Sequence, residues 1–338
     1  MAEDDEVEAR RKLDAEVRRR VEAVRQVRVS TPDLDAAMEL IDQARTERRQ
    51  DGTAFCSLIY GETGCGKTRL LDHYVAAQPT PEPGTMPVLV AAAPSPCTPE
   101  TWWATLLAAM REPVFHNQKL ALLRQRAMLA LDRNKVELIL VKEASQITDR
   151  KEVGAKVPYY VLDNIKMYVL DGQRPTEDHR NPIPVVMSGL EVAKRIFEIN
   201  GQLLTRRLPP VHLRPFDRGD GRSWDEFGVL LALYELASAF PRAYLSDPME
   251  DALARRVLEA TDGNFQKISN LVCDATGIAI RRGADGFSKE VLALAWARQF
   301  GESDPGKNPF LNAVAPAGKK PDDSRETKLH KKGNRKAA

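Results

Sequence analysis

The chain has 338 residues, 43% hydrophobic and 29% charged, an ordinary balance for a soluble globular protein with room for one large domain or two smaller ones. Its formal net charge of +2 says little by itself; where the charge sits says more. No apolar run approaches the roughly 18 residues of a membrane span, the acidic stretch Met1 to Glu6 does not read as a secretory leader, and Cys56, Cys65, Cys97 and Cys273 lie too far apart for a disulfide frame or zinc site, so reduced thiols in a cytoplasmic protein are expected.

Residues 1–28 are densely charged, with Leu13, Val17, Val21 and Val24 forming a thin apolar stripe at helical spacing. A helix with a docking face and a solvated helix both fit that pattern. Ser30-Thr31-Pro32-Asp33 is a helix start, and the helix it opens runs to about Arg48. The apolar run Ala54 to Tyr60 reads as a buried strand. It leads into Gly61-Glu62-Thr63-Gly64-Cys65-Gly66-Lys67-Thr68, which fits the phosphate-binding pattern G-x-x-x-x-G-K-[ST]. Arg69 to Val75 then carries apolar residues at helical spacing. Strand, glycine loop and helix together aim backbone N–H groups and a helix N-terminus at an anion. The glycines let the backbone close around phosphate oxygens. Lys67 would reach the β- and γ-phosphates and the Thr68 hydroxyl would ligate Mg²⁺, so ATP with Mg²⁺ is the expected ligand of Gly61 to Thr68 and the adjoining Arg69.

Pro79 to Pro87 reads as a proline-rich loop and Val88 to Ala92 as a second strand. Thr98-Pro99-Glu100 opens a helix carrying Trp102 and Trp103. Adjacent helical residues face different ways, so at least one tryptophan is expected in the core, base stacking being the other use. A basic helix from about Asn117 to Asp132 carries Lys119, Arg124 and Arg126, which suit either DNA phosphates or a solvated face. Val136 to Val141 is a third strand, ending in Lys142-Glu143. Tyr159 to Leu170 reads as helix, Pro184 to Ser188 as a fourth strand, Glu191 to Ile199 as helix and Val211 to Leu213 as a short fifth strand. This alternation predicts an α/β fold, a five-stranded parallel sheet covered on both faces. Past Pro215 the strands stop, and helical patterns at about 223–240, 248–261, 264–282 and 288–300 predict a helical subdomain. Residues 318–338 hold eight Lys or Arg against three Asp or Glu, a net of +5, and predict a disordered basic tail from about Gly301. The expected boundaries are 1–29, 30–215, 216–300 and 301–338. His73, His116, His179, His212 and His330 show no metal-ligand spacing.

A P-loop sheet with an extra strand between the P-loop strand and the acidic strand, followed by a helical lid, resembles an AAA+ ATPase. Thr31 to Arg48, Ala91-Ala92-Ala93-Pro94, Asn181 to Val186, Gln202-Leu203-Leu204-Thr205-Arg206 and Asp262 to Ser269 further resemble the TniB/TnsC family, AAA+ regulators of certain DNA transposons. The resemblance spans about residues 30–300. It implies an ATP-bound ring or helical filament of the protein on double-stranded DNA, which marks a target site and recruits a DDE-type transposase, often with a TniQ-type partner. It also implies that Glu143 polarises the attacking water, that Arg206 is an arginine finger reaching a neighbouring subunit's γ-phosphate, and that Lys267 lies near the lid's sensor position.

Two positions depart from the family. Lys142 stands where an aspartate usually supports Mg²⁺, and two unit charges ~4 Å apart are worth about 4 kcal/mol at an effective dielectric of about 20. Leu190 stands where a polar sensor is usual, with Ser188 the nearby substitute for nucleotide contact. An ATP-binding scaffold with little hydrolysis is therefore one alternative. An AAA+ replication or signalling ATPase is another, although such proteins usually carry an added domain and no stretch past residue 300 is apolar enough for one.

Overall fold

The computed structural model describes residues 2–115, 118–149, 154, 156–173, 181–246, 251–300 and 306–311. Helix α1 (Ala2–Gln26) and α2 (Pro32–Thr46) precede β1 (Cys56–Tyr60), α3 (Lys67–Ala77), β2 (Val88–Ala92), α4 (Pro99–Ala109), α5 (Leu120–Arg133) and β3 (Leu138–Lys142). Next come α6 (Ser145–Thr148) and α7 (Val157–Asn164), which widens into a π-helical turn over Ile165–Leu170. Then follow β4 (Val185–Gly189), a 3₁₀ turn over Glu191–Lys194, α8 (Arg195–Ile199), α9 (Gly201–Leu204) and β5 (Val211–His212). Four longer helices complete the order: α10 (Gly221–Ser238), α11 (Asp251–Thr261), α12 (Phe265–Arg282) and α13 (Lys289–Phe300).

The five strands are parallel and run in the order β2-β3-β4-β1-β5, so β4 separates the P-loop strand from β3. Covered on both faces, they read as continuous apolar runs with little alternation, and β3 is buried from Leu138 to Val141. The helix starts follow the expected chemistry. Thr31 caps α2 by accepting from the Leu34 N–H, and Thr98 with Thr101 forms a reciprocal cap on α4.

Three apolar clusters hold the molecule. One lies between the sheet and α4, α5, α7 and α8, and it takes in both Trp102 and Trp103, each fully buried. Helix α4 is covered by α5 and α7 as well as the sheet, so neighbouring positions on it are both internal and base stacking at either tryptophan is ruled out. The second cluster packs α2 and α3 on the other face.

The third is the core of the lid, α10 to α13, and it recruits both ends of the chain. Helix α1 docks along α12 and α10, burying Val17 and Val24, so the docking alternative is the one realised. At the other end, residues 306–311 depart from the expected disordered tail. Phe310 is fully buried in the lid cluster, the Asn308 side-chain amide donates to the Ala293 carbonyl at 2.9 Å, and Arg256 donates to the Pro309 carbonyl. A single aromatic anchors a stretch that composition alone marks as polar. Residues 312–338, with most of the basic tail, lie outside the described residues. Among the described residues no helix is long and apolar enough to cross a membrane, and no His, Cys, Asp and Glu grouping has the makings of a metal centre. All four cysteines are free thiols.

Candidate phosphate-binding cleft

The cleft lies at the carboxyl ends of β1, β3 and β4, where parallel sheets place their binding sites. Strand β1 delivers Gly61 against Leu213, whose carbonyl oxygen would lie 2.3 Å from any Cβ at that position. Gly64 sits at φ +87°, and a Cβ there would meet Asn264 Oδ1 at 2.4 Å. Only glycine satisfies both the backbone and the space. Helix α3 begins at Lys67 with Gly66 as a left-handed cap that offers no side-chain hydrogen bond. Its first N–H groups are therefore available to an anion in the cleft. The Lys67 ammonium folds back to donate to the Gly61 carbonyl at 2.8 Å and the Glu62 carbonyl at 2.6 Å. Burial lowers its pKa from the ordinary lysine value, against the opposing pull of Cys65, Glu143 and Glu62. Cys65, inside the loop, is itself buried, and that burial raises its thiol pKa.

The opposite wall comes from β3 and α3. Glu143 lines the cleft from a backbone with φ +54°, a left-handed conformation that costs a non-glycine residue about 1–3 kcal/mol. The cost is borne where β3 must turn abruptly into α6. Lys142 Nζ does not lie open beside Glu143; it contacts Asp72 Oδ1 on α3 at 2.6 Å. Asp72 is one turn beyond Thr68, so the two share a helix face and both line the cleft. Among these residues Thr68 and Glu143 carry hard oxygen donors. The end of β3, however, offers an ammonium where a carboxylate is wanted, and the Asp72 carboxylate is neutralised by that ammonium. The donor set thus does not fit a Mg²⁺ ion supported by an acid on β3.

The lid closes directly on the loop. Asn264 caps α12 by accepting from the Gln266 and Lys267 N–H groups, and its own amide donates to the Thr63 carbonyl at 2.8 Å. The Gln266 N–H donates to the Gly64 carbonyl at 3.0 Å. Phe265 stands between two chambers, the P-loop side of about 400 Å³ and a second of about 470 Å³. The second is walled by Thr31 to Leu34, Cys65 and Arg214 to Asp217. There Arg214 grips Asp33 through both carboxylate oxygens, at 2.8 and 3.0 Å. Burial opposes ionisation of Asp33, yet these bonds from Arg214 hold its pKa below the usual value. A larger groove of about 760 Å³ lies past Leu190, beside α6 and α8, with no P-loop residue in its walls.

The expected site residues divide by location. Gly64, Gly66, Lys67, Thr68, Arg69 and Glu143 meet in the P-loop chamber. Arg69 also donates to the Arg25 carbonyl at the end of α1 and lies over the Phe265 ring. Ser188 is buried within β4 and is not a wall of the cleft; Leu190 is. Lys267 pairs with Asp262 at 2.6 Å, and the lid's contact with the loop passes instead through Asn264 and Gln266. Arg206 faces inward, its Nη2 2.8 Å from Asp171 Oδ1, with Lys166 at 3.8 Å from the same carboxylate. Of the three basic residues near α5, Arg124 stacks 4.1 Å from the centroid of Tyr168, and Arg126 donates to Gln118 and the Pro113 carbonyl, both at 2.7 Å. Lys119, at the start of α5, is exposed. Asp72, Asn264, Gln266 and the Asp33–Arg214 pair went unread as site residues. Asn264 and Asp33 left local signals, but only as parts of helix starts.

A five-stranded parallel sheet in this order, a P-loop on β1 and a helical lid folded onto that loop define an AAA+ P-loop fold. Residues 20–165, somewhat under half of the chain, match the family model described as "Bacterial TniB protein". No curated protein matches the chain in sequence. Among solved structures, Aeropyrum pernix ORC2 in ADPNP–ADP complexes is similar at 15% identity and TM-score 0.56, covering 80% of this chain and 68% of that one. Aeropyrum pernix ORC1 in complex with DNA is similar at 17% identity and TM-score 0.54, covering 82% and 67%. Drosophila ORC bound to DNA is similar at 16% identity and TM-score 0.55, covering 86% and 67%.

Proposed function

We propose that this protein is an ATP-binding AAA+ regulator of DNA transposition, which assembles on double-stranded DNA, marks the target site and recruits a DDE-type transposase with a TniQ-type partner. The observation that carries the proposal is a P-loop cleft closed by the lid, in a chain whose residues 20–165 match the TniB model. The triphosphate takes the Lys67 and Gly66 side of Phe265, and the nucleoside takes the chamber beside Arg214. Similar folds solved with ADPNP, ADP or DNA support these ligand classes. Electron microscopy with duplex DNA and a non-hydrolysable ATP analogue tests the assembly. Rings or filaments on DNA support it; ATP-independent monomers on and off DNA contradict it.

DNA binding is expected to be sequence-tolerant and steeply salt-dependent, because phosphate contacts release counterions. Arg124 and Arg126 have partners inside the domain, so Lys119→Glu is the clean substitution on this face. It should weaken binding evenly across sequences and reduce the slope of log K against log salt by about one. A flat salt response in the wild type, measured by fluorescence anisotropy, would remove phosphate contact from the proposal.

The Lys142–Asp72 contact favours a second reading, a nucleotide-binding scaffold with little turnover. Phosphate release at saturating ATP, with DNA present, separates the two. Slow release from a protein that binds ATP supports the scaffold, whereas turnover at a rate ordinary for enzymes, about 1 s⁻¹ or faster, removes it.

A further inference from the structure

We propose that Lys142, steadied by Asp72, is a resident cation of the phosphate cleft, and that it makes nucleoside triphosphate binding independent of Mg²⁺. The inference rests on the nucleotide reading of the cleft and specifies how its charge is met. Lys142 ends β3 next to Glu143, a wall of the chamber, and its Nζ reaches α3, 2.6 Å from Asp72 Oδ1. The lysine side chain is 22% exposed and the aspartate 60%, so the ammonium end is held by the pair beside water-accessible space and not sunk in the core. Asp72 is itself a wall of that chamber, together with Thr68, Lys67, Arg69 and Glu143.

The charge balance gives the reason. Among the walls, Lys67 and Arg69 offset Asp72 and Glu143, leaving no net charge. Lys142 adds one positive charge, whereas an aspartate in its place would leave one negative. A metal-free triphosphate carries close to four negative charges. A cleft with an acid at the end of β3 repels that anion unless a divalent cation enters with it, and a cleft with an ammonium there does not. The ammonium also brings three donors in place of a carboxylate that only accepts. Asp72 holds the ammonium in place through one of its donors, and the others can turn to phosphate without loss of that contact. The pair therefore supplies at β3 a positive charge that other nucleotide clefts obtain from a metal ion.

The test is a titration of the full-length protein with fluorescently labelled ATP, in excess MgCl₂ and in excess EDTA, read by anisotropy. The wild-type Kd is expected to change by less than about threefold between the two conditions, which is under 1 kcal/mol. Lys142→Asp is expected to bind about tenfold or more weakly in EDTA than in Mg²⁺. Asp72→Asn frees the ammonium for phosphate and is expected to tighten binding in EDTA by a few-fold, about 1 kcal/mol at most. Loss of about tenfold or more in wild-type affinity on adding EDTA overturns the inference and leaves the nucleotide reading standing. Wild-type protein that melts cooperatively but binds in neither condition overturns both. The wild-type comparison decides even where a variant fails to fold.

Discussion

Lys67→Ala is expected to raise the Kd for a fluorescent ATP analogue by about a hundredfold, close to 2.7 kcal/mol. An ammonium ~4 Å from a phosphate charge is worth about 4 kcal/mol at an effective dielectric of about 20. The full amount is not gained on binding. The Lys67 ammonium already donates to the Gly61 and Glu62 carbonyls, and it must give up part of those bonds to reach phosphate. A hydrogen bond to a charged group contributes about 1.5–3 kcal/mol, and giving up about half of one such bond leaves a net advantage of about 2.5–3 kcal/mol. Folding should change little, because the Glu62 carbonyl reaches solvent at the rim and water replaces the lost donor. The measurement is anisotropy for affinity, alongside thermal melting for integrity. Unchanged affinity in a folded variant would place the nucleotide elsewhere than the P-loop.

Arg206→Ala is expected to lower the unfolding free energy by about 3 kcal/mol, whatever its role between subunits. Asp171 has only 9% of its side chain exposed, and Arg206 only 15%. Removing the guanidinium leaves a buried carboxylate short of its closest partner, and breaking one side of a buried pair costs about 3–5 kcal/mol. Lys166 at 3.8 Å offsets part of the loss, which puts the expected figure at the lower end. Arg207 is exposed over the Phe197 ring, and its replacement by alanine should change stability by no more than about 0.5 kcal/mol. Urea unfolding of the two variants tests the internal pair, and light scattering with ATP then tests assembly. An Arg206→Ala protein that unfolds like the wild type shows that the pair contributes nothing. If it is destabilised but still forms the ATP-dependent species, Arg206 is a structural residue, and the proposed finger role passes to Arg207. If assembly alone is lost, the finger role stands without the internal one.

Much of the cleft was legible along the chain because its parts are local. A strand, a glycine loop and a helix start are contiguous, so Gly61 to Thr68 carries its own geometry in eight residues. Glu143 could be placed because it ends an apolar run that reads as a strand. The basic helix is different. Its cations are visible in sequence, but whether each faces DNA or a neighbour depends on Tyr168, forty-odd positions on, and on how the adjoining Pro113, Phe115 and Gln118 fold back against Arg126. Arg206 likewise looks free until Asp171, thirty-five positions earlier, folds against it.

The sequence by itself determined the parallel sheet, the P-loop and the helical lid, since each follows from periodicity, caps and glycines acting within one element. Tertiary structure alone decided what those elements face. It brought Asp72 to Lys142, converting an apparent defect at the end of β3 into a paired cation. It set Asn264 and Gln266 against the Thr63 and Gly64 carbonyls, joining lid to loop across two hundred residues. It also packed Val24 and Phe310, from opposite ends of the chain, into one lid core. Charge pairing and apolar burial act over a few ångströms in space without regard to distance along the chain, so residues that meet only after folding leave no mark on the local pattern.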